Sequence, residues 1–165
     1  VLTVMGRKVL HTGELGTAST LKVITNYLAS VHLVALGEAW TVAKKSNLDL
    51  EKTFKGIAAS SGNSFVHETE SQVILNGSYN INFTMDLVLK DTGLFDDLAK
   101  KLNAPLEISP KVVEIFKDGQ KKYGSRAWSS MIVKRMEDLN NIDFRAKGFP
   151  EELVDNEPEE KGYEI

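Results

Sequence analysis

The sequence predicts an all-α domain, a helical bundle built around one long central helix. Three observations carry this. Residues 17–46 run without a proline and are apolar on more than one face, as a helix covered by neighbours is. Helical spacing of apolar residues then recurs in five shorter segments, each opened or closed by a capping or turn residue. Strand-like alternation is confined to the first dozen residues.

The elements follow in order. Residues 9–11 form a short strand between Gly6 and Gly13. Gly13 and Gly16 let the backbone turn tightly into the long helix, which Thr17 or Ser19 caps. At 1.5 Å per residue that helix is roughly 40 Å long, and it lacks the unbroken apolar run of a membrane span. Asp49 caps a second helix running to about Ser60, and Asn63 or Ser64 a third, ended by Asn76-Gly77. Thr84 opens a fourth over residues 85–102. Ser109-Pro110 starts a fifth, with serine as the cap and proline in the first turn, and Ser125 starts a sixth reaching about Leu139. From Asn140 the pattern decays into an acidic, proline-broken stretch that buries too little apolar surface to offset its ordering entropy. It is expected to be mobile, or ordered only by a neighbouring chain.

Composition limits the function. A net charge of -3 offers no clustered basic face for nucleic acid. The chain has no cysteine, which excludes disulfides, thiol nucleophiles and cysteine-held metals, and no signal-peptide pattern opens it, so a cytoplasmic protein is expected. His67 lies beside Glu68 and Glu70 without further histidine ligands, and reads as a solvated helix face rather than a metal site. His11 and His32 are isolated.

Lys22, Asn26 and Ser30 stand at i, i+4 and i+8, a thin polar stripe on the apolar helix. One reading is a stripe that meets solvent or a neighbouring helix. The other is a site, because a lysine held in apolar surroundings is costly unless paired or used. On that reasoning alanine at position 22 is expected to fold at least as well. Lys90 and Asp91 are adjacent on the fourth helix, about 100° apart around its axis. They can flank a site without touching each other, or form an exposed charged pair.

The pattern Gly13-x-x-Gly16-x-x-x-x-x-Lys22-x-x-x-Asn26 resembles the catalytic segment of the β-hydroxyacid dehydrogenases. That family includes 3-hydroxyisobutyrate dehydrogenase, glyoxylate/succinic semialdehyde reductase and 6-phosphogluconate dehydrogenase. A second stretch, Phe83-x-x-x-Leu87-x-x-Lys90-Asp91-x-x-Leu94, resembles the family's second site segment, in the matching order and separation.

The resemblance implies a fold like the 6-phosphogluconate dehydrogenase C-terminal domain. It divides the chain into residues 1–13, the end of an absent nucleotide-binding Rossmann domain with its linker, a helical catalytic and dimerisation domain over 14–140, and the acidic tail over 141–165. It further implies an NAD- or NADP-dependent oxidoreductase acting on a short β-hydroxy acid or its oxo or semialdehyde form. Lys22 is then the general acid/base. Asn26, Phe83 and Asp91 bind substrate, Lys90 approaches the cofactor, and the chain forms a homodimer or higher homo-oligomer. The isolated fragment is expected to be inactive. The competing class is a helical oligomerisation module without catalysis, and within enzymes a relative of the 6-phosphogluconate dehydrogenases or imine reductases.

Overall fold

The computed structural model describes residues 2–155, 158 and 160–165. Six α-helices carry it: α1 (Thr17–Lys45), α2 (Leu50–Ala58), α3 (Phe65–Asn76), α4 (Met85–Lys101), α5 (Ser109–Tyr123) and α6 (Met131–Asn140). A 3-10 turn at Leu2–Val4 precedes a two-residue strand, β1 (Lys8–Val9), which pairs in parallel with β2 (Tyr163–Glu164). No helix among the described residues is long and apolar enough to cross a membrane.

The helix boundaries follow local chemistry. Asp49 accepts from Lys52 N and Ser64 from His67 N, each satisfying a backbone donor that a first helical turn leaves open. Gly77 ends α3 in the left-handed region. α1 departs from the capping expectation: Gly16, at φ 98°, occupies the cap position without a side-chain bond. Its lack of a Cβ makes that conformation cheap.

α1 packs against α3, α4, α5 and α6. Its buried residues begin only at Ser30 and include Leu33, Leu36, Gly37, Trp40 and Ala43. The first half of α1 is open, with Leu21, Ile24 and Leu28 exposed. The all-round apolar character thus marks burial for the second half alone. Trp40, Ile74, Met85, Phe116 and Phe144 are fully buried around it.

Two expectations give way here. Residues 125–130 are not helical, because their backbone serves α4: Met85 N donates to Ala127 O, Asp86 N to Ser125 O, and Ser129 N to Phe83 O. Those carbonyls take up first-turn donors of α4, so α6 starts at Met131. Nor does the packed core stop at 140. Phe144 is fully buried, Ala146 N donates to Leu75 O, and the Phe149 ring meets Phe54 edge-on at 5.1 Å. Irregular backbone buries single aromatics without helical periodicity, so the pattern decays where the packing does not. Further along, Tyr163 N donates to Arg7 O and Ile165 N to Val9 O, so the described end of the chain lies against its beginning.

Candidate active site

Lys22 and Asn26 lie one turn apart on α1, and both reach across to α4, where Asp91 is buried. Lys22 Nζ donates to Asp91 Oδ2 at 2.7 Å, and Asn26 Nδ2 donates to the same oxygen at 2.5 Å. The two helices are held together there by Tyr27 and Phe95, whose rings stack at 4.0 Å and 5°. Ser30, the third member of the stripe, is buried and donates back to Asn26 O.

Asp91 is therefore the centre of the group. Lys90 pairs with it: its Nζ is 3.4 Å from Asp91 Oδ1, an ion pair too poorly aligned to satisfy that buried oxygen, which has no hydrogen-bond partner among the described residues. Burial alone would push the Asp91 carboxyl up. Hydrogen bonds from Lys22 and Asn26, together with the Lys22 charge, outweigh it and hold the group below the usual carboxylate range. Asp91 is thus ionised at neutral pH, with its side chain 4% exposed, while Lys22 and Lys90 are 53% and 61% exposed. A buried anion faced by two open cations is the electrostatic core of the site.

The pairing changes what Lys22 costs. Its ammonium is partnered and half open, so the expectation that alanine folds at least as well does not hold: truncation leaves Asp91 buried with one strong partner fewer.

Beside this group lies a cavity of about 290 Å³, lined in part by Asn26, Ser30, Phe83 and Glu70. Phe83 and Asn26 both line it. Glu70 is not part of a solvated face, as its place beside His67 suggested: it lines this cavity with one carboxyl oxygen buried. Its signal was there, since Val66, Glu70 and Val73 share one face of α3, and both valines are buried.

His67 is likewise no solvated residue. It is fully buried between Trp40 and Phe54, its Nε2–H donating to Phe54 O at 2.9 Å. Nδ1 then accepts from Ser71 Oγ, which accepts in turn from Trp40 Nε1. Loss of hydration lowers the His67 pKa below its ordinary value, outweighing the Phe54 carbonyl. It is a neutral, satisfied core histidine.

A family model described as NAD-binding of NADP-dependent 3-hydroxyisobutyrate dehydrogenase matches residues 16–136, a span that contains Lys22, Asn26, Phe83, Lys90 and Asp91. The chain belongs to the β-hydroxyacid dehydrogenase family.

Among relatives in this family, 2-(hydroxymethyl)glutarate dehydrogenase of Eubacterium barkeri is 30% identical over 86% of this chain and 48% of its own length. L-threonate dehydrogenase of Haemophilus influenzae is 31% identical over 81% of this chain and 45% of its own. The chain thus spans about half the length of the curated relatives it matches. A crystal structure of 3-hydroxyisobutyrate dehydrogenase from Salmonella typhimurium superposes with a TM-score of 0.67 at 29% identity, covering 73% of this chain and 42% of that one. The Mycobacterium tuberculosis 3-hydroxyisobutyrate dehydrogenase, at 22% identity and a TM-score of 0.68, shares the fold.

Proposed function

We propose that this chain is the helical catalytic and dimerisation domain of an NAD(P)-dependent oxidoreductase. Its substrate is a short β-hydroxy acid or the corresponding oxo acid or semialdehyde. The single observation that carries the reading is the convergence of Lys22 and Asn26 on the buried, ionised Asp91.

The donor set fits the proton half of such a reaction. An ammonium has three N–H donors. Lys22 spends one on Asp91, which leaves two for a substrate oxygen on the open side of the site. In reduction Nζ protonates the carbonyl oxygen, and in oxidation the neutral amine takes the hydroxyl proton. Asp91 aims the amine and stabilises its charged form. Asn26 spends one N–H on the same oxygen and keeps the other, with Oδ1, to hold a hydroxyl or carboxylate beside Lys22. Phe83 walls the substrate cavity. The bound nicotinamide supplies or takes the hydride. Lys90, an open cation next to Asp91, is the residue of this chain placed to meet that anionic cofactor.

A nucleotide-binding domain N-terminal to residue 14 completes the pocket in this reading, and the protein works as a cytoplasmic homodimer. The exposed Leu21, Ile24 and Leu28 on the open half of α1 support a covering partner there. Light scattering of the protein at high micromolar concentration is expected to give a dimer, and a monomer counts against that part.

One observation favours the non-catalytic alternative: the Lys22–Asp91 pair ties α1 to α4 and so has a structural use. Turnover separates the two. The protein at its natural length is expected to oxidise NADH or NADPH with short semialdehydes, and to lose that activity in Lys22→Ala while retaining its helical circular dichroism. Equal turnover by the variant leaves the pair as a helix tie.

A further inference from the structure

Glu70 stands on α3 with one carboxyl oxygen, Oε2, shut off from solvent and without a hydrogen-bond partner among the described residues. Part of the residue reaches the surface, but that oxygen does not. The residue lines the same cavity as Asn26 and Phe83, among Leu33, Val88 and Phe116. A buried carboxyl left unpaired by its own protein is costly, and natural proteins satisfy the great majority of such groups. A group in that state on the wall of a ligand-sized cavity can take its missing partner from a ligand.

We infer that Glu70 selects the distal end of the substrate, accepting a chain that ends in a hydroxyl in either of its own charge states and rejecting one that ends in a second carboxylate once Glu70 is ionised. This rests on the dehydrogenase reading above, in which Lys22 and Asn26 hold the reacting end. Asn26 belongs both to that group and to the cavity, so a substrate held there extends toward Glu70. A hydroxyl both donates and accepts, and it pairs with a carboxyl in either protonation state. A carboxylate only accepts. It meets a donor while Glu70 is protonated and a like charge once Glu70 ionises.

Burial pushes the Glu70 carboxyl up to about 8, with loss of hydration as the sole cause. Among the described residues no other one lining the cavity is titratable. Among the charged groups nearby, Lys22 on α1 and Lys90 on α4 are engaged with Asp91. His32 on α1 borders the adjoining cavity that also contains Asn26, and His67 on α3 is sealed in its own network. The charge of the cavity wall is therefore set by Glu70, and it changes across pH 8.

The test uses a matched pair, 3,5-dihydroxypentanoate and 3-hydroxypentanedioate, which differ only in the distal group. With the protein at its natural length and NAD or NADP, the kcat/KM ratio of the first to the second is expected to rise between pH 6 and 9. At pH 9 it should reach at least about tenfold. Taking the ratio cancels any pH effect on the steps that both substrates share. Glu70→Gln, nearly isosteric and unable to ionise, is expected to flatten the profile. A flat ratio in the unaltered protein, or the same rise in Glu70→Gln, overturns the inference and leaves the dehydrogenase reading intact.

If neither compound is oxidised, the dehydrogenase reading is left to the semialdehyde assay above and binding decides the Glu70 question. The carbon-13 carboxyl resonance of Glu70, assigned through its own backbone, is expected to shift saturably at pH 9 with 3,5-dihydroxypentanoate and to stay put with 3-hydroxypentanedioate. No shift with either compound, or equal shifts with both, overturns it.

Discussion

Lys22 and Asp91 are 69 residues apart in the chain and 2.7 Å apart in space, and Asn26 donates to the very oxygen that Lys22 does. One buried carboxylate thus positions an ammonium and an amide side by side, and each keeps N–H groups that Asp91 does not take.

Removing the amine tests the proton-transfer role. Lys22→Ala in the protein at its natural length is expected to lower kcat by about 10²–10⁴, the usual range for general acid–base help. Asn26→Ala should raise KM and lower kcat together, because it removes a positioning group. Steady-state kinetics on both variants checks this. Lys22→Ala is also expected to lose stability, by about 1 kcal/mol or less given that the lysine is half exposed. A thermal midpoint at or above that of the parent would show that the Asp91 pairing contributes nothing.

Asp91 makes stability depend on pH with a definite sign. Its folded pKa lies below the ordinary value of 3.8. The stabilisation is therefore present in full above that value and is lost as pH falls through the lower, folded value. Urea denaturation of the parent and of Asp91→Asn should diverge least at pH 2 and most above pH 4. Curves that stay parallel throughout would remove the depressed carboxyl from the account.

Glu137 is buried at 2% exposure and accepts from the Tyr79 hydroxyl, from Phe144 N at 2.8 Å and from Arg145 Nη1 at 2.9 Å. These bonds anchor the segment after α6. Arg145→Met removes the cation and leaves the carboxylate inside, which costs about 1–3 kcal/mol, the lower part of the range because Arg145 is partly exposed. Glu137→Gln combined with Arg145→Met should recover part of the loss. Double-mutant denaturation measures the coupling, and simple additivity of the two changes would mean that the residues act independently.

At the chain ends, a Cβ on Gly162 would collide with the backbone oxygens of Gly6 and Thr3. Backbone cannot step aside as a side chain can, so Gly162→Ala should break the β1–β2 pairing and leave the helical core intact. Hydrogen exchange at the Tyr163 and Ile165 amides reads this directly. Their protection is expected to fall while that of Trp40 and Phe116 stays unchanged.

What the sequence by itself determined is local. Side-chain caps placed α2 and α3, because Asp49 and Ser64 satisfy helix-end donors within three residues, while apolar periodicity marked the other helices. The 3.6-residue turn put Lys22 and Asn26 on one face of α1 before any neighbour was known. The two family motifs marked Phe83, Lys90 and Asp91, but not that Asp91 would lie under Lys22.

Only the tertiary structure decided which faces meet. Residues 125–130 carry helical spacing, yet their carbonyls go to the first turn of α4, a competition invisible within a local window. Phe144 lies beyond the last periodic segment and is nonetheless fully buried, and His67 and one carboxyl oxygen of Glu70 are shut in because α3 packs against α1 and α2. Helical geometry is set by neighbours a few residues away. Burial, and with it the charge state of Asp91 and Glu70, is set by chain segments tens of residues distant, and those meet only when the bundle closes.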